Sequence, residues 1–325
     1  MSRDFEFEKP IIELEARLKE LQAISENGKI DLSREINAIA EKINVLKEEI
    51  YTELEPWQVT QVARHIDRPS TLDLIKILSQ DDFVELHGDR LFSDDAAIVA
   101  GPGKIGDHKV MFIGHQKGHD TEENIYRNFG MPHPEGYRKA MRMMKMAEKF
   151  NLPVIIFIDT PGAFPGIGAE ERGQSEAIAR NLAEMSQIAV PILCFVTGEG
   201  GSGGALAISV GDRIFMFEFS VYSVISAEGC AAILWNDPLK SKEAAQALKM
   251  RAANLKELGI IDEILPEPLG GAHRNPQQVA ESIRQIVEKH LPPLMAMSRE
   301  ELLEHRYRKF RDMGQYCCEE ELENA

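Results

Sequence analysis

The sequence has few of the features that mark a secreted, membrane-spanning or metal-binding chain. Only four cysteines occur among its 325 residues, and no two of them form a CxxC pair, so neither a zinc ribbon nor a redox motif is indicated. The longest apolar runs, 154–158 and 192–196, are far too short to cross a bilayer. The first residues, MSRDFEFEKP, lack the apolar core of a signal peptide. We therefore expect a cytoplasmic chain with reduced thiols.

Basic residues are also scarce relative to acidic ones. The chain has 37 Lys and Arg against 53 Asp and Glu, which gives a formal net charge of −16 at pH 7. Binding to a nucleic-acid backbone or to an anionic membrane surface needs a basic face, so neither partner is expected. The hydrophobic content of 43% is ordinary for a globular protein, and this length can bury a core without disulfides or metals.

Residues 1–55 have the periodicity of amphipathic helices. Apolar residues recur every three or four positions from Ile11 to Leu21 and again from Leu32 to Ile50, with the turn dipeptide Asn27-Gly28 between the two stretches. This pattern predicts a helical hairpin that ends before Pro56. Its apolar seam is expected to pack within the hairpin in preference to packing on another subunit.

From residue 82 onward, short β-rich runs alternate with helical stretches, which predicts an α/β fold with right-handed crossovers. The β-rich runs are nearly continuously apolar, as expected for strands covered on both faces. The predicted strands are 96–100, 110–114, 154–159, 192–197 and 214–219. The predicted helices are 135–150, 171–187, 241–258, 276–290 and 298–312. We divide the chain into an N-terminal hairpin (1–55), an α/β domain (56–292) and a C-terminal helix with an acidic tail that contains Cys317 and Cys318 (293–325).

Two strand-to-helix junctions are rich in glycine. The first, 158–168, contains the Pro161-Gly162-Ala163 turn and Gly166, and the second is 197–206. Glycine lets a ligand approach backbone amides closely, and the amides at the start of a helix are unpaired. Such turns bind anions or developing oxyanions. Two of them in consecutive strand–helix units favour a functional role over tight packing alone.

The second junction fits several motifs, and the sequence alone does not decide among them. Gly198-x-Gly200-x-x-Gly203 has the dinucleotide-binding spacing. Gly200-x-Ser202-x-Gly204 fits a nucleophile elbow, in which Ser202 would act with His273 and either Asp262 or Asp237. A third reading uses only the backbone amides of Gly203 and Gly204. No GKS or GKT follows, so a Walker A phosphate loop is excluded.

Other polar segments contain candidate substrate contacts. The segment 114–120 includes His115, Gln116 and Lys117, and we interpret it as a loop that orients a substrate or contacts a partner, in preference to a metal site. Arg172 is interpreted equally as a fixed positive charge that faces a carboxylate or as a surface residue. Glu228 follows Ser226 at the start of a predicted helix, where capping is favoured over catalysis.

Five long segments carry a family resemblance that runs from the N-terminal helices to about residue 315. The chain resembles the alpha subunits of bacterial acetyl-CoA carboxylase carboxyltransferases. The segments are GHQKG (114–118), NFGMPHPEGYRKA (128–140), FIDTPGAFPGIGAEERGQSEAIARNL (157–182), GEGGSGGALAI (198–208) and SVISAEGCAAILW (223–235).

The resemblance implies a crotonase-like fold of repeated ββα units, with 56–292 as a carboxyltransferase domain of the C-terminal type. It implies transfer of a carboxyl group from carboxybiotin, on the biotin carboxyl carrier protein, to acetyl-CoA. The product is malonyl-CoA, in the first committed step of fatty acid biosynthesis. The implied assembly is a heterotetramer with two beta subunits, which supply acyl-CoA recognition and a zinc-binding domain. ATP would be used at the separate biotin carboxylase, and this chain would hold no metal.

The resemblance also assigns residues to roles. It implies that the amides of Gly203 and Gly204 form an oxyanion hole for carboxybiotin. We place the Pro161-Gly162-Ala163 turn in the neighbouring wall of the substrate site. The residues expected to bind substrate are Gly162, Ala163, Gly166, Gln116, Lys117 and Arg172. A serine hydrolase with Ser202 as nucleophile is the alternative.

Overall fold

The computed structural model describes residues 5–27 and 31–314. The second half of the predicted Asn27-Gly28 turn and the predicted acidic tail with Cys317 and Cys318 lie outside the described residues. The helices are α1 (Lys9–Asn27), α2 (Ser33–Thr52), α3 (Pro56–Ala63), α4 (Thr71–Ser79), α5 (Thr121–Tyr126), α6 (Pro134–Phe150), α7 (Ile167–Glu171), α8 (Gln174–Met185), α9 (Ser202–Leu206), α10 (Ala227–Trp235), α11 (Ser241–Ala247), α12 (Ala252–Glu257), α13 (Pro276–Met295) and α14 (Arg299–Arg311). The strands are β1 (Ile98–Ile105), β2 (His108–His115), β3 (Val154–Thr160), β4 (Ile192–Gly201), β5 (Arg213–Phe217), β6 (Val221–Ser223) and β7 (Glu263–Leu265).

These strands form one mixed sheet in the order β1-β2-β3-β4-β5-β7. β1 and β2 are antiparallel, whereas the pairs from β2 to β7 are parallel. β4 is long enough to serve two neighbours, because residues 193–196 pair with β5 and residues 199–201 pair with β6. The carboxyl ends of β2, β3 and β4 therefore meet at one edge of the sheet, where the glycine-rich junctions begin.

Both faces of the sheet are covered, as the continuous apolar runs predicted. Met111 and Ile113 of β2 point to the face that packs on α6, α8 and α12. Val110 and Phe112 point to the opposite face, which packs on α4 and α13. This alternation follows from the two-residue period of a strand. The core residues of both faces are almost fully removed from solvent, which makes the sheet a rigid base for the edge.

The N-terminal hairpin packs on itself and on its own chain. α1 contacts α2, and the two helices share a third core with α3, α10 and α11. The hydroxyl of Tyr51 donates to Glu8 at 2.6 Å, and its ring meets the edge of Phe219 at 5.4 Å. The predicted end of the second helix needs one correction, because α2 ends at Thr52 and Pro56 is the first residue of α3.

Two predicted helices are broken in the structure. The predicted helix 171–187 begins only at Gln174, because Gly173 has a left-handed backbone with φ of 82°. The predicted helix 241–258 is divided into α11 and α12. Between them Met250 accepts a backbone hydrogen bond from Tyr222 at 3.0 Å, and Arg251 forms a bridge with Val221. Pairing to the edge of β6 has overridden the local helical preference.

The predicted division into three parts fits these elements unevenly. The boundary at 55/56 coincides with the start of α3, whereas the boundary at 292/293 falls inside α13. That helix continues through Pro292 and Pro293 to Met295, so the predicted boundary divides one helix. The assignment of separate domains stays a prediction.

The last helix is attached to the sheet by a buried ion pair. Arg306 is 1% exposed and Asp212 is 0% exposed. The guanidinium donates to both carboxylate oxygens of Asp212, at 2.9 and 2.7 Å, and to the carbonyls of Met185, Ile188 and Val190. Each of these contacts satisfies a group that burial would otherwise leave without a partner.

Replacement of Arg306 by Met should lower the free energy of unfolding by about 3–5 kcal/mol, because it leaves the buried charge of Asp212 unpaired. Chemical denaturation of the variant and the parent chain would measure this difference. The matched control is Arg308→Met, since Arg308 contacts Glu304 on the same helix and is 70% exposed. The control should change stability by at most about 1 kcal/mol, and equal effects of the two substitutions would contradict the assigned role of Arg306.

Candidate active site

The carboxyl ends of β3 and β4 are out of regular register. The two strands pair residue by residue up to Ile158 and Val196, and pairing resumes with Thr160 opposite Gly200. The irregularity places Asp159 beside the β4 backbone, where its Oδ1 accepts the amide of Glu199 at 2.9 Å. Both carboxylates therefore lie at the same sheet edge, immediately before the two glycine-rich turns.

Lys117 joins the two carboxylates. Its Nζ donates to Oδ1 of Asp159 at 2.7 Å and to Oε2 of Glu199 at 2.9 Å. Burial opposes the charged form of Lys117, but the two carboxylates outweigh burial and raise its pKa. The sequence predicted a substrate contact at Lys117. In the structure its ammonium group is engaged by the protein itself, so it acts as a tie between the ends of β3 and β4.

The charge network continues on the other side of Glu199. The Nε of Arg64 donates to Oε1 of Glu199 at 2.6 Å, and its Nη1 donates to Glu228 at 2.5 Å. Burial alone would raise the pKa of Glu199, but Lys117 and Arg64 lower it to about 2. We call Lys117, Asp159, Glu199, Arg64 and Glu228 the charge network. It holds α3 and the start of α10 against the sheet edge.

Glycine at position 198 is required by this arrangement. A Cβ atom there would lie 2.4 Å from Oδ1 of Asp159, well inside the contact distance of any two non-bonded atoms.

The dinucleotide-binding interpretation of Gly198-x-Gly200-x-x-Gly203 is wrong, because β4 continues through residue 201. The first glycines of the motif belong to a strand and not to a phosphate-binding turn.

The two glycine-rich turns are packed backbone to backbone. A Cβ atom on Gly204 would lie 2.4 Å from the carbonyl carbon of Gly162 and 2.6 Å from the amide nitrogen of Ala163. Position 204 therefore excludes any side chain. The structure thus brings the predicted Gly162-Ala163 wall directly against the predicted oxyanion turn. Gly203 has open space instead, since its nearest neighbour would be the side chain of Ile178 at 3.5 Å.

α9 begins at Ser202, directly after β4. The amides of its first turn, which include those of Gly203 and Gly204, have no carbonyl partner inside the helix. Ser202 itself has a left-handed backbone with φ of 50°, a strained conformation for a residue with a side chain. The chain turns sharply at this point, and Ser202 and Gly203 line a cavity.

That cavity, which we call the apolar pocket, has a volume of about 380 Å³. Its walls are mostly aliphatic and aromatic side chains, and the α9 turn supplies one side. Its rim is open to solvent at Leu206, Val224 and Leu258, which are 41%, 77% and 52% exposed. The lining residues are Ser202, Gly203, Leu206, Tyr222, Ser223, Val224, Leu248, Lys249, Leu255, Leu258 and Ile260.

A second cavity of about 440 Å³, which we call the polar cleft, shares no lining residue with the apolar pocket. Its lining includes Arg64, Lys117, Asp159, Glu199 and Pro161. The cations and carboxylates of the charge network pair with one another along this cleft. Ser202 and Gly203 of one turn thus line the apolar pocket, whereas Pro161 of the other turn lines the polar cleft.

Two predicted substrate-binding side chains have other partners in the structure. Gln116 is 1% exposed; its amide oxygen accepts from the backbone of Leu72 and its amide nitrogen donates to the carbonyl of Lys117. Arg172 donates to both carboxylate oxygens of Glu135, at 2.7 and 3.2 Å. The carboxylate that Arg172 faces is therefore one of the protein's own. Both side chains thus have partners within the protein.

The remaining predicted residues are placed as follows. Gly166 precedes α7 and packs against the ring of Phe164; it lines neither the apolar pocket nor the polar cleft. The side chain of Ser226 accepts from the amide of Gly229 at 3.1 Å, which confirms the predicted cap of α10. Glu228, on that first turn, also pairs with Arg64.

The structure does not assemble a serine triad around Ser202. His273 stacks on His65 at 3.9 Å, and His65 lines the polar cleft, away from the pocket that Ser202 lines. Asp262 accepts from the amide of Ile214 and contacts Lys309, whereas Asp237 accepts from the amide of Leu239. Each predicted partner is committed elsewhere, so the nucleophile-elbow interpretation is wrong.

Sequence reasoning missed the charge network as a unit. Asp159, Glu199 and Arg64 were not among the predicted site residues, although the first two lie inside the quoted motifs. A local signal existed, since a buried strand that ends in Asp and another that continues into Glu place two carboxylates at one sheet edge. No comparable local signal marks Arg64, which directly follows α3.

Comparison with known proteins shows where the chain belongs. A family model described as acetyl co-enzyme A carboxylase carboxyltransferase-like matches residues 4–314. The chain is 58% identical to the acetyl-coenzyme A carboxylase carboxyl transferase subunit alpha of Geobacter metallireducens, over 96% of this chain and 97% of that protein. It is also 58% identical to the subunit of the same name from Halalkalibacterium halodurans, over 97% of each chain. The chain belongs to the acetyl-CoA carboxylase carboxyltransferase family.

Solved structures confirm the predicted crotonase-like fold of this family member. A malonate decarboxylase hetero-dimer from Pseudomonas has a TM-score of 0.58 at 15% identity, over 74% of this chain and 96% of that chain. Transcarboxylase 12S has a TM-score of 0.54 at 19% identity, over 67% of this chain. The match spans 41% of the transcarboxylase chain. At such identities the likeness shows the fold alone.

Within residues 5–27 and 31–314, no helix is long and apolar enough to cross a membrane. In the same residues no three His, Cys, Asp or Glu side chains are grouped so that they could hold a metal ion.

Replacement of Lys117 by Met should destabilise the chain by about 3–5 kcal/mol at pH 7, because it leaves two buried carboxylates close together. The folded-state pKa of Glu199, about 2, lies below its ordinary value of 4.5. Its stabilisation is therefore complete above pH 4.5 and is lost as the pH falls toward 2. The stability difference between parent and variant should shrink over that same interval.

Urea denaturation at a series of pH values would measure this dependence. The control is Lys104→Met, because Lys104 pairs with Asp82 at the surface, where the two side chains are 50% and 53% exposed. The control should lose at most about 1 kcal/mol. A loss for Lys117→Met that stayed constant from pH 7 to pH 3 would contradict the assigned tie.

Proposed function

We propose that this chain supplies the biotin-binding half of a carboxyltransferase active site that converts acetyl-CoA to malonyl-CoA. The observation that supports this proposal is the α9 turn, whose first amides have no carbonyl partner inside the helix and whose residues Ser202 and Gly203 line the apolar pocket. In the chemistry implied by the family, carboxybiotin donates the carboxyl group, and negative charge develops on its ureido oxygen. The residues present fit such a group: amide donors lie at one side of the pocket and aliphatic walls surround the rest.

The amides of Gly203 and Gly204 are the proposed donors to the developing charge. Gly203 lines the pocket, whereas Gly204 is buried behind it against Gly162. Donors fixed in a packed backbone need no reorganisation when charge develops, and they act more strongly where water is excluded. The chain contributes no side-chain nucleophile in this proposal, which agrees with the absence of a triad around Ser202.

The charge network has a supporting role. Asp159 immediately precedes one glycine-rich turn and Glu199 immediately precedes the other, so Lys117 fixes the distance between the turns. Because both carboxylates are neutralised by Lys117 and Arg64, their repulsion toward a nearby oxyanion is reduced. The network thereby positions the donors without contact to the reacting atoms.

A partner chain is needed to complete the site. The rim of the apolar pocket is exposed at Leu206, Val224 and Leu258, so water has access in the isolated chain. The curated relatives are named as subunit alpha. We propose a beta subunit as the partner, in a complex of two alpha and two beta chains. That subunit would bind the acyl-CoA, and the biotin carboxyl carrier protein would deliver the biotin that biotin carboxylase charges with ATP.

The reverse reaction tests this assignment directly. Malonyl-CoA and a free biotin derivative would be supplied to the chain alone and to the complex purified from its own cytoplasm, and acetyl-CoA would be followed. We expect transfer only in the complex. Transfer by the isolated chain, or its absence from both samples, would overturn the proposed division of the site.

Replacement of Gly203 by Pro should lower kcat of the complex by about 10²–10³-fold, because it removes one amide donor worth about 2.7–4 kcal/mol of barrier. The matched control is Gly203→Ala, which keeps the amide and meets only the side chain of Ile178, at 3.5 Å. Ser202→Ala should also keep most of the activity. Circular dichroism and gel filtration would verify folding and assembly of each variant.

A second set of outcomes would count against the amide donors. Full activity of Gly203→Pro would exclude the Gly203 amide from the reaction. A dead Ser202→Ala variant that still assembles would restore a role for the hydroxyl group. Gly204→Pro is a poor test, because any Cβ at that position meets the backbone of Gly162.

A further inference from the structure

Tyr222 forms a wall of the apolar pocket, and the proposed function assigns it no role. It is the middle residue of β6, and its backbone is paired with Gly200 of β4. Among the described residues that line the pocket, it carries the only aromatic ring. An aromatic side chain presents a large contact area and has few torsion angles. It is therefore well suited to give the pocket a fixed shape.

One side of the ring packs directly on the backbone of β4. A Cβ atom on Gly200 would lie 2.6 Å from Cδ2 and 3.1 Å from Cγ of Tyr222. The ring thus occupies the space that any side chain at position 200 would need, and it cannot move closer to the sheet. This contact gives a structural reason for a glycine that both motif interpretations of the second junction included.

The far end of the ring is held by its hydroxyl group. The Oγ of Ser209 donates to the carbonyl of Leu206, the last residue of α9, at 3.3 Å. A serine hydroxyl has one proton to donate, so the Tyr222 hydroxyl is the donor in its contact of 2.8 Å with Oγ of Ser209. Burial raises the pKa of Tyr222 to about 12, and the hydroxyl therefore keeps this proton at neutral pH.

The backbone of Tyr222 is also fixed. Its amide donates to the carbonyl of Met250 at 3.0 Å, and the neighbouring Val221 forms a bridge with Arg251. The backbone, one side of the ring and the hydroxyl group are thus each held by a different segment of the chain. Such a side chain has little freedom left to lose when a ligand binds, which lowers the entropic cost of binding.

We propose that Tyr222 is a specificity-determining residue, whose ring sets the width of the apolar pocket and so holds the ring system of biotin against the α9 turn. This inference rests on the proposed function of the pocket. The other large lining side chains are aliphatic, and Leu206, Val224 and Leu258 are exposed at the rim. A gap between a ligand and its wall forfeits dispersion contacts, so the position of one rigid wall decides how closely the ligand approaches the turn.

The experiment compares Tyr222→Leu, which removes the ring, with Tyr222→Phe, which keeps the ring and loses only the hydroxyl group. Each variant would be purified as the full chain in complex with the beta subunit. The Kd of biotin methyl ester would be measured by ligand-observed NMR with CoA present and malonyl-CoA absent, so that no transfer occurs. Acetyl-CoA formation from malonyl-CoA and the same ester would be measured separately, per assembled complex.

We expect Tyr222→Leu to raise the Kd of the ester by about 10-fold or more, since small losses of apolar contact in a fitted pocket have effects of about 10–200-fold. Tyr222→Phe should raise it far less, because the ring remains packed on Gly200. The KM for malonyl-CoA should stay unchanged in both variants, since the proposed acyl-CoA site lies on the partner chain. An unchanged Kd for Tyr222→Leu, or an equal increase for both variants, would overturn the proposal.

Gly200→Ala tests the same wall from the opposite side. Its methyl group should displace the ring of Tyr222 into the pocket and raise the Kd of the ester. In a chain that also carries Tyr222→Leu, the methyl group meets no ring and should have a much smaller effect. Equal effects in the two backgrounds would show that the two positions act independently and would overturn the proposal.

Tyr137→Leu is the matched packing control. Tyr137 is fully buried in α6 and does not line the apolar pocket. Loss of its ring should lower the stability of the chain to urea and leave the Kd of the ester unchanged. A rise in Kd as large as that of Tyr222→Leu would assign the effect to general loosening of the core and would overturn the proposal.

Failure of this inference is distinguishable from failure of the proposed function. If the parent complex neither binds the ester nor forms acetyl-CoA, the assignment of the apolar pocket to biotin is wrong, and the role of Tyr222 falls with it. If the parent complex does both and the Kd is the same for the parent and Tyr222→Leu, only the role of Tyr222 is wrong.

Discussion

The structure depends most on how two carboxylates are accommodated at the edge of a buried parallel sheet. Asp159 and Glu199 lie near the carboxyl ends of strands whose residues are mostly apolar and inaccessible to water. Unpaired, two such charges would repel each other and would each lose hydration. Lys117 lies between them at 2.7 and 2.9 Å, and Arg64 completes the neutralisation of Glu199. The spacing of the two glycine-rich turns is a consequence of this pairing.

The sheet makes that local arrangement rigid. Its two faces are each covered by helices, and close packing of the interior resists displacement of any one strand. The turns at its edge can then approach backbone to backbone, as Gly204 does with Gly162. The same closeness excludes side chains from the turns. The polar groups of such a site are therefore backbone amides and not side chains.

The sequence predicted the parts of the fold that depend on local pattern. The continuous apolar runs predicted the central strands correctly, because a strand that is buried on both faces is apolar at nearly every position. The glycine-rich junctions were recognised because their composition is local. The breaks at Gly173 and between α11 and α12 were missed, since the second depends on pairing of Met250 with Tyr222 in a distant strand. Lys117 was recognised as a candidate site residue, but its pairing with two carboxylates was not predicted, because they lie 42 and 82 residues further along the chain.

The balance of charge around the turns explains why backbone amides, rather than cationic side chains, suit this site. The charge network contains two cations and three carboxylates, so it has no positive charge in excess to offer an oxyanion. Its role is instead to remove the repulsion that Asp159 and Glu199 would exert on a negative charge nearby. Once those charges are paired, even the modest dipoles of fixed amides are effective if the proposed partner chain covers the exposed rim of the pocket and keeps competing water out. The polar cleft and the apolar pocket therefore have complementary roles. The charges that line the cleft neutralise one another, and the apolar walls of the pocket strengthen the small electrostatic attraction that the amides exert on an oxyanion.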